Sequence, residues 1–77
     1  MHEGGLGMYL YDHIDYNYLH DKIKDSGYRI KDLETILGIS PVTFYSYRYG
    51  LNDIPARHLR ILTDKLNLDL EILLKLR

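Results

Sequence analysis

The chain has 77 residues and a formal net charge of −1, which allows one domain with a small core. It contains no cysteine, so disulfides and thiolate metal sites are excluded. No apolar run is long enough to span a membrane, and the N-terminus lacks a basic-then-apolar signal, so a small soluble cytoplasmic protein is expected.

The near-zero charge hides an asymmetry. Residues 1–40 carry four Lys/Arg against seven Asp/Glu, a net of −3, while residues 41–77 carry six against four, a net of +2. The second half therefore suits a polyanion better than the first.

Residues 1–14 read as a flexible arm, because Met1–Gly7 has three glycines and no apolar period. Tyr9, Leu10 and Tyr11 can form a short strand or fold back. Four of the eight tyrosines fall between Tyr9 and Tyr18. Such a cluster serves either as a contact arm or as amphipathic cover for an undersized core. The domain proper is expected over residues 15–77.

Asp15 is a suitable N-cap for a first helix from Tyr16 to about Ser26. Tyr16, Leu19 and Ile23 form its inward stripe, and Gly27 closes it. In the next helix Ile30, Leu33 and Leu37 share one face. Gly38 stops that helix by taking the left-handed conformation. Ile39 plugs the turn. Ser40 is an N-cap with Pro41 behind it, where a missing N–H costs nothing. The helix so begun runs to about Tyr49 and ends at Gly50. Phe44 and Tyr47 face inward, while Val42, Thr43, Tyr45, Ser46 and Arg48 look outward.

A short polar connection, Leu51 to Ile54, leads to a fourth helix opened by Pro55 and ending near Leu66. Its stripe is Leu59, Leu62 and Leu66. The tail alternates apolar and polar residues from Leu66 to Arg77, as a strand does, yet Leu, Glu and Lys favour a helix. The helical reading is adopted, capped by Asp69 with Leu70, Leu73 and Leu74 on the core. Ile72 and Leu76 then stay uncovered and form a candidate homodimer interface. A strand would pair with its twin across the same axis.

Nothing in the chain resembles a catalytic constellation. The histidines, His2, His13, His20 and His58, are scattered, and only His13 with Asp12 and Asp15 approaches a metal-ligand grouping. No enzyme activity, resident metal or cofactor is expected. Recognition chemistry is better represented. A helix in the major groove needs short or flat side chains near its start, and Pro41, Val42, Thr43 and Ser46 are of that kind. Tyr45 and Ser46 can exchange hydrogen bonds with base edges, and Arg48 can reach a phosphate or a guanine.

The segment Arg29–Gly50 has the helix-turn-helix layout. With Leu33, Leu37-Gly38-Ile39-Ser40, Phe44, Tyr47, Gly50, Ile54-Pro55-Ala56, Leu59, Ile61, Leu66-Asn67-Leu68 and Leu73-Leu74, the chain resembles the lambda-repressor-like (Cro/C1, XRE-type) DNA-binding domains of phages and bacteria. The likeness covers roughly residues 16 to 76. It implies an all-α, five-helix domain that regulates transcription by binding double-stranded DNA as a dimer. It places base reading on Pro41, Val42, Tyr45 and Ser46, and backbone contacts on Thr43 and on Tyr49 to Asn52. Lys31 and Ser40 complete the expected DNA-facing set. The chain departs from the family at Glu34, where a small residue is usual, and at Ile30, where a phosphate-binding Gln is frequent. The alternative is the same scaffold meeting protein, as an antirepressor or as a regulator of another DNA-binding protein.

Overall fold

The computed structural model describes residues 14–75, and all the regular structure among them is helical. In chain order the helices are α1 (Tyr16–Ser26), α2 (Ile30–Leu37), α3 (Pro41–Arg48), α4 (Ala56–Leu66) and α5 (Leu70–Leu73). No helix among them is long and apolar enough to cross a membrane.

Each start and stop has a local cause. The Asp15 carboxylate accepts the Tyr18 N–H at 3.0 Å and begins α1. The α2 start is made differently: the backbone N–H of Arg29 donates to the Asp32 carboxylate at 2.9 Å. Gly38 ends α2 at φ 70°, and its N–H reaches the Glu34 carbonyl at 2.8 Å. Ser40 Oγ accepts the Thr43 N–H at 3.2 Å, with Pro41 at the first helical position of α3. Asn67 ends α4 in the left-handed region, which Asn tolerates better than most residues. Asp69 accepts the Glu71 N–H at 3.0 Å and begins α5.

The core is one cluster. Phe44, Leu33 and Leu73 are fully buried, and Leu19, Ile54 and Leu62 nearly so. α1 lies centrally, in contact with α3, α4 and α5, while α2 packs on α3. The two ends of the described chain are tied together. Asp15 N–H donates to the Leu73 carbonyl at 2.7 Å, and Asp69 N–H donates to the Tyr18 hydroxyl at 2.9 Å.

Three expectations require correction, and one residue left unassigned gains a place. Ser46 is buried rather than outward-facing, because the chain doubles back after α3 and both Leu51 and Asn52 donate backbone N–H groups to its carbonyl. Arg48 is half-buried, its guanidinium lying over Phe44 rather than projecting from the helix. Leu70 is exposed rather than in the core, because α5 is a single turn that aims only Leu73 and Leu74 inward. His58, left unassigned within the fourth helix, is buried against Tyr47. The expectations for Tyr9-Leu10-Tyr11, for Asp12 with His13, and for Leu76 lie outside the described residues.

Candidate functional site

The turn Gly38–Ile39–Ser40 sets α3 on the body of the domain with Phe44 and Tyr47 buried. Because those two are three residues apart, the opposite side of the helix is left to solvent. Val42 is 76% exposed and Tyr45 is 51% exposed; Ser40 and Pro41 are exposed beside them, and Thr43 is half-buried. The Thr43 hydroxyl accepts from Ser40 Oγ at 3.1 Å, so the start of the face is fixed by its own capping hydroxyl. Lys31 and Asn52 are exposed on flanking segments.

The far end of α3 is aromatic. Tyr45 and Tyr49 have ring centroids 4.5 Å apart. The Arg48 guanidinium carbon lies 4.9 Å from the Phe44 ring centroid, 5.7 Å from Tyr45 and 5.6 Å from Tyr49. These are cation–π distances, and they hold the charge against the helix. The Arg48 Nε is buried with no hydrogen-bond partner.

His20 locks this end of α3 to α1. Its Nε2 lies 2.9 Å from the Arg48 carbonyl. A carbonyl only accepts, so Nε2 carries the proton and donates. The same imidazole stands edge-on to Tyr49 at 5.0 Å. Nothing in the periodicity of the sequence marks His20 for this, since the two partners are 28 residues apart.

Between the C-terminal half of α1, the start of α2 and the end of α3 lies an open cleft of about 530 Å³. Lys24, Arg29 and Arg48 contribute its charge, and Tyr28 and Tyr49 its rings. None of the described lining residues is acidic. Arg29 is held at 3.4 Å by Asp32, which does not line the cleft. The Arg29 N–H first, and then its side chain, keep the Asp32 carboxyl below its ordinary range.

Ile72, expected at a homodimer contact, is 44% exposed and so is available to a partner. The structure thus leaves Ser40, Pro41, Val42 and Tyr45 exposed along α3, sets Thr43 half-buried at its flank, puts Arg48 and Tyr49 at its aromatic end, and buries Ser46. Among the described residues no group of three His, Asp or Glu side chains is arranged to hold a metal ion. The chain matches no protein-family model, no curated protein and no solved structure.

Proposed function

We propose that the chain is a lambda-repressor-like helix-turn-helix regulator that binds double-stranded DNA in the cytoplasm as a homodimer, with α3 as its reading helix. The observation that carries this is the free outward face at the start of α3, where Ser40, Pro41, Val42 and Tyr45 stand clear of the core. Short side chains there let a helix backbone approach the floor of a major groove. Val42 offers a methyl surface to thymine and Tyr45 a hydroxyl to base edges. Lys31 supplies a phosphate contact from α2. With Ser46 buried, direct reading falls on fewer side chains, and duplex shape contributes correspondingly more.

The test is anisotropy of a labelled random-sequence duplex titrated with the full chain at several salt concentrations. Binding is expected to weaken as salt rises, with a log–log slope of about −0.9 for each phosphate neutralised. Lys31→Ala should flatten that slope by roughly one contact, whereas Tyr45→Ala should change which duplexes are selected from a random pool. A folded chain that ignores duplex DNA even at low salt removes this reading. The second reading, a protein-contact module, is favoured by the exposure of large apolar side chains after and along α3: Leu51 at 66%, with Tyr45 and Tyr49 both about half exposed.

A further inference from the structure

We propose that the cleft between α1, α2 and α3 binds a free mononucleotide, or a small aromatic phosphate of the same chemistry. Three observations meet there. The first is charge: Lys24, Arg29 and Arg48 converge on one cleft whose described lining has no carboxylate. Arg29 already shares its charge with Asp32 at 3.4 Å, outside the lining, so an anion in the cleft draws chiefly on Lys24 and Arg48. Arginine adds a planar donor set that matches phosphate oxygens.

The second is an orphaned donor. Arg48 lines the cleft, and its buried Nε has no hydrogen-bond partner. With Nε buried away from solvent and making no hydrogen bond, the guanidinium is not committed to a protein acceptor through that atom, and only its outer nitrogens are left for a ligand oxygen. The third is a flat surface already in place. Tyr49 is half exposed, lies 4.5 Å from Tyr45 and is braced edge-on by His20 at 5.0 Å. Tyr28 supplies a second ring in the lining. Bases stack on such rings whatever their identity. The cleft volume of about 530 Å³ falls within the range of roughly 300–1,000 Å³ usual for small-molecule sites. The phosphate would meet the cations, and the base would lie against Tyr49 or Tyr28. The inference does not depend on whether α3 meets DNA.

The experiment titrates the full chain with adenosine 5′-monophosphate, with adenosine and with inorganic phosphate, followed by amide and ring NMR shifts. Adenosine monophosphate is expected to saturate one site, with shifts centred on His20, Tyr28, Arg29 and Tyr49. Adenosine and phosphate should each bind at least about tenfold more weakly, since each lacks one of the two contacts. Lys24→Gln/Arg29→Gln should weaken the nucleotide by about tenfold or more while the melting profile stays cooperative. Tyr49→Ala, at a half-exposed position, is a second variant and should also weaken it. Overturning results are shifts that do not saturate, phosphate that binds as tightly as the nucleotide, or folded variants that bind as well as the wild type. Displacement of the nucleotide by duplex DNA, with duplex binding weakened in the same variants, would assign the cleft to nucleic-acid backbone and also overturn the proposal.

Discussion

Gly38 and Gly50 hold nearly the same positive φ, 70° and 75°, in different surroundings. A Cβ added at Gly38 would meet nothing within 4 Å, so a substitution there feels only the left-handed backbone. At Gly50 the same atom would stand 3.0 Å from the Tyr16 ring. At that distance the far end of the Tyr16 side chain must give by a few tenths of an ångström, and Tyr16 packs against the core. Gly38→Ala should therefore cost about 1 kcal/mol, the usual strain of a left-handed residue, and Gly50→Ala clearly more. Urea denaturation of the two variants measures the difference. Equal costs would mean that the Tyr16 ring yields freely; no cost at Gly38 would mean that its φ is not held.

Between α3 and α4 the decisive tie is the buried hydrogen bond of 2.9 Å shared by the Tyr47 hydroxyl and His58 Nδ1. Burial, and then the charge of Arg57, lower the His58 pKa from its ordinary 6.5. The folded chain thus holds its neutral imidazole more firmly than the unfolded chain does. A depressed folded pKa means that stability is fully present above the unfolded value of 6.5 and is lost as pH falls through the folded one. The Tm should be level above that value and decline below it, with His58→Gln reducing the decline. An NMR titration of the His58 ring with a midpoint at or above 6.5 contradicts this account. This tie also shows what the sequence could and could not reveal. The stripes Leu19/Ile23, Leu33/Leu37 and Phe44/Tyr47 were legible because a helix repeats every 3.6 residues. Ser40-Pro41 was legible because capping is local. Ser46 was misread because its burial comes from a loop that folds back after the helix, a tertiary effect with no period. His58 was missed because its stripe was read from leucines alone, although Tyr47 was already placed inward and needed a polar partner. The cleft was invisible for a similar reason: His20, Arg29 and Arg48 come from three elements whose approach only the fold supplies.

At the scale of the whole molecule, α4 and α5 leave apolar surface uncovered. Leu70 and Ile72 are 40% and 44% exposed. Leu70 borders a groove of about 390 Å³ shared with Ala56, Leu59 and Thr63 and edged by Arg60 and Asp64. Fully burying a side chain of this size is worth roughly 1.5–3 kcal/mol, so each leaves part of that unrealised in one chain. A second copy related by a two-fold axis can recover it, because each copy offers the other the same patch. Arg60 and Asp64 suit that arrangement. They are exposed, opposite in charge and one helical turn apart, so the Arg60 of each copy can meet the Asp64 of the other. Exposed pairs of this kind add little energy, but they select the register in which the apolar residues meet. The same symmetry would present two α3 helices to successive major grooves if their spacing is about 34 Å. Leu76, the other residue expected at this contact, lies outside the described residues, so the prediction is placed on Ile72. Sedimentation velocity of the full chain at about 50 μM should show a dimer, a concentration that saturates a contact of micromolar Kd. Ile72→Asp should leave a folded monomer, since a contact that covers Ile72 would bury the added carboxylate without a partner. A wild type that sediments as a monomer removes the dimer. A folded Ile72→Asp that still dimerises moves the contact to another face, and Arg60→Asp then distinguishes the groove from the rest of the surface, because it would place like charges opposite one another only if the groove is the contact.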